Sequence, residues 1–289
     1  MATAPNLDVI GQVTGPFERS WNSKDALLYA VGVGAGAEDP LDSRELQYTT
    51  ENSRDIDQRV LPTFAVIIGI GGANYSAIGE INMANLVHGE QMIRLHRPIP
   101  VEGTVEVSSK VTGIFDKGSG MVIVTESESV LKDSGEPLFT TMNSSFIRGA
   151  GGWGGDRGPS GPKNVPPERE PDHVVTYRTR PDQALTYRLS GDRNPLHSDP
   201  SFAKLAGFDR PILHGLCTFG FTGRALLHAL AESDAARFTG MEARFARPVM
   251  PGDALTVKIW RTGDGEAVYT TENQDGEIKI SEGRCTFTG

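Results

Sequence analysis

Eleven residues in the second half of the chain carry the clearest chemistry: Tyr187-Arg-Leu-Ser-Gly-Asp192-Arg193-Asn194-Pro195-Leu196-His197. An acid and an imidazole stand five residues apart, with an Asn-Pro turn former between them. A carboxylate and an imidazole on one short rigid loop can address the same spot. Together they can take a proton from water and return one to carbon, as the addition of water to a polarised carbon–carbon double bond requires. Asn194 can lock the loop and orient the water. Ser198 or Asp199 can cap the next helix, with Pro200 in its first turn.

The rest of the chain must hold that loop still. At 289 residues it is long enough for two ordinary domains. With 38% apolar and 22% charged residues, its composition is that of a globular protein. No apolar run approaches the ~20 residues that span a bilayer, so no membrane partner is expected. The net charge of −9 argues against nonspecific nucleic-acid binding. The start, Met1-Ala-Thr-Ala-Pro-Asn, lacks the basic and apolar regions of a secretory signal. The end, Thr286-Phe-Thr-Gly289, is not a Ser-Lys-Leu address. Two cysteines, Cys217 and Cys285, make no disulfide framework. A cytoplasmic location is expected.

A Gly/Pro-rich stretch at 149–171 reads as a linker between units 1–148 and 172–289. The two units repeat each other. Ala26-Leu-Leu-Tyr29 aligns with Ala184-Leu-Thr-Tyr187, and Val60-Leu-Pro-Thr63 with Ile212-Leu-His-Gly215. Arg94-Leu-His-Arg97-Pro98 matches Arg244-Phe-Ala-Arg247-Pro248, after which Val105-Glu-Val107 falls on Leu255-Thr-Val257 without a gap. The same order in both copies indicates duplication. Each unit predicts a short helix bearing the Tyr and a longer apolar helix, over 62–78 and 215–231. Apolar residues on most faces of the second copy mark it as buried. Alternating segments follow at 104–112, 121–131 and 138–147, then at 254–260, 267–272 and 285–287. Gly-rich turns make them antiparallel strands. The expected class is α+β, a buried helix wrapped by a curved antiparallel sheet.

The loop resembles the signature of the hydratase 2 family, the (R)-specific enoyl-CoA hydratases of MaoC-like type. Tyr187, Leu189, Ser190 and Gly191-Asp-Arg-Asn-Pro-Leu-His197 fill it, and after five intervening residues Ala203 completes it. The duplication resembles the family's double-hotdog members, over about 27–287. The resemblance implies Asp192 and His197 as the acid–base pair around the reacting water, assisted by Asn194. It implies the Gly215 N–H, at the start of the buried helix, as the donor to the thioester oxygen, with His214 positioning that turn. Substrate and CoA contacts are implied at His88 and Gly89, Lys117, Arg193, Pro195, Leu196 and Phe245. The implied partner is an acyl-CoA thioester, with no cofactor, and the assembly a homodimer.

The first unit lacks the reaction centre. Val33-Gly34 and Pro40-Leu41-Asp42 stand where the second has Gly191-Asp192 and Pro195-Leu196-His197, and Pro62-Thr63 replaces His214-Gly215. One active site per chain is expected, with space in the first unit for a long acyl tail. Gly32-Val-Gly-Ala-Gly-Ala37 loosely matches a dinucleotide fingerprint but lacks the strand before and helix after it, so NAD binding is rejected. His173, His197 and Asp199 do not have metal-ligand spacing. The rivals are a thioesterase on the same fold and a non-catalytic acyl-CoA-binding subunit.

Overall fold

The computed structural model describes residues 3–82 and 85–289. Met1 and Ala2, where the signal reading begins, lie outside the described residues. Among the described residues ten strands form one sheet, and every paired neighbour is antiparallel. The first unit supplies β1 (Val13–Trp21), β2 (Leu86–Leu95), β3 (Gly103–Asp116), β4 (Gly120–Leu131) and β5 (Pro137–Arg148). The second supplies β6 (His173–Arg178), β7 (Phe238–Phe245), β8 (Ala254–Gly263), β9 (Glu266–Asn273) and β10 (Ile278–Phe287). The order is β1-β3-β4-β5-β2-β7-β10-β9-β8-β6. Read from each outer edge inward, both units run first, third, fourth, fifth, second. The repeat seen in the sequence is therefore a repeat of topology. The units join at β2 and β7, in register from Glu90 opposite Arg244 to Arg94 opposite Gly240.

The helices are α1 (Ser23–Gly32), α2 (Ser43–Thr49), α3 (Ala65–Ile68), α4 (Tyr75–Ile78), α5 (Gln183–Tyr187), α6 (Pro200–Leu205) and α7 (Gly215–Leu230). As expected from its apolar faces, α7 is the buried helix of the second unit. Phe219, Phe221, Leu226 and Leu227 on it are wholly buried. Strands β8 and β9 pack Leu255, Val257, Ile259 and Tyr269 into the same core.

The first unit departs from expectation. The single helix predicted over 62–78 is broken. A turn at Pro62–Phe64 runs into α3, the chain leaves the helix at Gly69, and only α4 follows. Three glycines in four positions, Gly69, Gly71 and Gly72, weaken any helix there by roughly 1 kcal/mol each relative to alanine. They also let the chain press onto the sheet: a Cβ at Gly71 would lie 1.8 Å from Ser109 Oγ, and one at Gly72 2.8 Å from the Phe17 ring. The aligned positions in the second unit are Gly223 and Arg224, and there the helix continues.

The segment expected to be a linker contains no regular element but is tied down. The Asp116 carboxylate accepts N–H bonds from Gly118, Gly152 and Gly154. These backbone donors, Gly152 foremost, hold its pKa at about 2. Further on, Asn164 Nδ2 donates to the Glu242 side chain and the Glu282 carbonyl, both of the second unit.

Candidate active site

Gly191 takes φ +139°, a conformation that glycine tolerates and L side chains rarely adopt, and so turns the chain out of the short helix after α5. Asp192 follows, half-buried. Its Oδ1 accepts the Asn194 N–H at 3.2 Å. The Asn194 side chain caps the next turn, accepting the Leu196 N–H at 3.0 Å. That turn carries His197 inward, leaving it 9% exposed. Asp199, one of the two candidate caps, holds the start of α6 through the Ser201 and Phe202 N–H groups.

The His197 ring is fixed from behind. Its Nδ1 lies 2.9 Å from the Ile212 carbonyl. A carbonyl only accepts, so Nδ1 carries the proton and Nε2 keeps its lone pair. Burial lowers the imidazole's pKa, which keeps it neutral and basic. His214 stacks on it at 3.8 Å between ring centroids and donates from Nε2 to the Asp192 carbonyl at 3.2 Å. This bond ties the start of α7 to the Asp192 loop. Burial, reinforced by His197, pushes its pKa down to about 4.

Ligand atoms of Asp192, His197 and His214 lie within 4.8 Å of one another. Rings stacked at 27° direct their in-plane lone pairs alongside each other, not toward one point. Nδ1 of His197 and Nε2 of His214 are already committed to carbonyls. The arrangement suits proton transfer better than metal binding.

Gly215 begins α7, and no side chain caps that helix end. Its first N–H groups are therefore available as donors, at the positive end of the helix dipole. A Cβ there would sit 3.4 Å from the Phe245 ring. Phe245 in turn meets His88 edge-on at 4.9 Å. His88 belongs to the first unit, and a β-bulge at Gly89 sets its direction: in the β2–β5 pairing Gly89 has no partner between His88 and Glu90. His88 Nε2 donates to the Glu90 carbonyl, and burial lowers its pKa to about 4, against a smaller opposing pull from Asp192. The structure therefore brings together Asp192, His197, His214, Gly215 and Phe245 of one unit with His88 of the other.

The remaining candidates lie further out. Arg193, Asn194 and Pro195 are exposed and Leu196 is half-buried. Lys117, at the β3–β4 hairpin, directs its ammonium to the Arg157 and Pro159 carbonyls of the Gly/Pro-rich segment 149–171. Beside His88 and Leu216 opens a cavity of about 150 Å³, floored by β2, β3, β4 and β5 and bounded by Val66, Ile70 and Tyr75. It occupies the space that the broken helix leaves. The expected space was one freed by the missing reaction centre; the cavity lies where Gly69 and Gly71 break the helix, which the sequence reading did not foresee.

Comparison with known proteins identifies the family and the fold. Residues 20–149 match the MFE-2 hydratase 2 N-terminal domain, and residues 163–282 the MaoC like domain. The chain is 49% identical to 3-hydroxyacyl-thioester dehydratase Y of Mycobacterium tuberculosis over 94% of its length and 92% of the relative's. It is 43% identical to enoyl-CoA hydratase ChsH3 of the same organism, covering 89% and 90%. The crystal structure of a MaoC-like dehydratase from Phytophthora capsici superposes with a TM-score of 0.86 at 32% identity, over 98% of each chain. The fold is the double hotdog, shared with solved structures as distant as 12% identity. With its full-length match to these relatives, its two matching domain models and its Asp192–His197 loop beside the α7 N-terminus, the chain belongs to the MaoC-like hydratase 2 family.

Proposed function

We propose that the chain adds water reversibly to a trans-2-enoyl-CoA, giving the (3R)-3-hydroxyacyl-CoA. One observation carries the reading: a neutral, backbone-anchored imidazole and a carboxylate face one spot beside an uncapped helix N-terminus. Asp192 and His197 hold the water between them. As its oxygen attacks C3, one of the pair accepts a proton and C2 receives one from the pair, so the elements of water are added without residue. Negative charge gathers on the thioester oxygen during attack. The Gly215 N–H, aided by the α7 dipole, stabilises it. Losing such a donor typically costs about 3 kcal/mol of transition-state stabilisation.

The acyl tail enters the first-unit cavity past His88 and Leu216. The exposed loop residues Arg193 and Pro195, with Leu196, Gly89 and Phe245, line the thioester and CoA side. Lys117 binds a CoA phosphate, exchanging its carbonyl acceptors for phosphate oxygens. The units 1–148 and 172–289, joined by 149–171, act as one body, because residues of both meet at the site.

The chain works as a cytoplasmic homodimer. Among the described residues no helix is long and apolar enough to cross a membrane, and both cysteines are free and buried. Sedimentation and cell fractionation test these two points.

Incubation with crotonyl-CoA and with a long-chain enoyl-CoA, followed by chiral resolution, tests the function. The (3R)-hydroxyacyl product from both is expected. Free CoA would indicate a thioesterase, and an S product would contradict the reading. A cut-off at short chains would remove the tail assignment.

A further inference from the structure

The cavity is unusual for a hydrocarbon site. The inward face of β4 runs Met121, Ile123, Thr125, Ser127, Ser129, Leu131, so hydroxyls fill its centre. Across the register, Ser127 lies opposite Ser109 on β3 and Thr141 on β5, while Thr125 lies opposite Asn143, itself opposite Gln91. All six of these polar residues line the cavity. The duplicate unit offers an internal control. By the gapless repeat that sets Val107 on Val257, Ser109 aligns with Ile259, which is wholly buried in the core around α7.

Two of the hydroxyls satisfy each other: Ser109 Oγ and Ser127 Oγ are 2.7 Å apart. Thr125 does not share in this. Its residue is 3% exposed, and its Oγ1 has no hydrogen-bond partner. A buried hydroxyl with one donor and two acceptor sites left empty is a cost to the fold that a ligand oxygen would remove. The volume suits such a ligand, since a cavity of about 150 Å³ accepts a group the size of a six-membered ring.

We propose that this cavity selects enoyl tails bearing a hydrogen-bonding oxygen, a hydroxyl or ketone beyond the reacting carbons, with Thr125 as a specificity residue. The proposal rests on the hydratase reading and names its substrate class. A plain alkyl tail would leave Thr125 and Asn143 facing hydrocarbon. A site built for an oxygen discriminates against the analogue that lacks it.

The test uses the full chain, crotonyl-CoA, and a set of trans-2-enoyl-CoA esters of equal length. One ester is unsubstituted, and the others carry a single hydroxyl at each tail carbon in turn. At one or more positions the hydroxyl raises kcat/KM by about tenfold, as one added hydrogen bond allows. Thr125→Val brings that ratio back toward one. Its melting temperature does not fall, because the substitution deletes an unpartnered hydroxyl from a strand. Turnover of crotonyl-CoA with no hydroxyl preference at any position overturns the proposal alone. So does a preference that Thr125→Val leaves intact. Absence of crotonyl-CoA turnover removes the hydratase reading, and the proposal with it.

Discussion

Asp192 and His197 are ordinary side chains whose neighbours determine what they can do. The Ile212 carbonyl fixes the His197 tautomer and burial depresses its pKa, so the ring is a base throughout the physiological range. The sign follows: a depressed pKa means that protonation, and loss of the base, begins only as pH falls below the usual histidine value near 6.5. The acid limb of kcat/KM against pH is expected below 6.5. A limb at or above 6.5 would show that the ring is not held neutral. The pair and its spacing were legible in the sequence, because one turn carries both. The stacking of His214 on His197 was not, because it joins residues seventeen apart through the path of α6. The meeting of His88 with Phe245 was hidden for the same reason, since it depends on the pairing of β2 with β7.

At the level of elements, α7 and the first-unit helix show what one duplicated pattern can become. Helix α7 was legible because its apolar residues cover most faces and its glycines, Gly220 and Gly223, are spaced apart rather than clustered. The broken helix carries a similar apolar start, but its glycines outweigh the pattern once the sheet lets the chain press flat. Strands β3, β4, β5, β8 and β9 were legible as alternation between Gly-rich turns, and β10 only in its last residues. β1, β2, β6 and β7 were not assigned as strands. β1 and β6 are edges, the first mostly exposed and the second alternating between half-buried and exposed residues, and β2 and β7 form the inter-unit seam. The N-terminus of α7 gives the element-scale prediction. Gly215→Ala places a methyl 3.4 Å from the Phe245 ring, where the thioester must approach the N–H. A fall in kcat/KM of roughly 10²-fold is expected with the melting temperature nearly unchanged, since 1 Å misplacements cost that much. Activity within twofold of the parent would show that the approach lies elsewhere.

Across the whole molecule, the two units diverge at the loop after the Tyr-bearing helix: the Asp192 loop of the second leads to the candidate site, and its counterpart in the first is closed. The loop of residues 33–42, which aligns with the catalytic loop, closes over Arg224 of α7. This side chain is 1% exposed; Nε donates to Glu45 Oε1 at 2.9 Å and a terminal nitrogen to the Val33 carbonyl at 2.9 Å. Its guanidinium lies 4.3 Å from the Tyr177 ring centroid. Burial pushes the Glu45 carboxyl up, but His228, Arg224 and the Gly36 N–H together outweigh it and hold the pKa at about 2. The pair ties α2 of the first unit to the core helix of the second. Arg224→Met removes the guanidinium and leaves the buried carboxylate only His228 and the Gly36 N–H, at a cost of about 3 kcal/mol in denaturant unfolding. A loss under 1 kcal/mol would remove the pair from the account of stability. Charge closes the first-unit loop, and we propose that the single centre in the second unit supplies all the activity. The rate of crotonyl-CoA hydration by Asp192→Asn, in protein shown folded by circular dichroism, tests this directly. A loss of at least ~10³-fold is expected, within the range for removing a positioned acid–base group. Retention of half the rate would reveal a second centre, and retention of nearly all of it would contradict the role of Asp192.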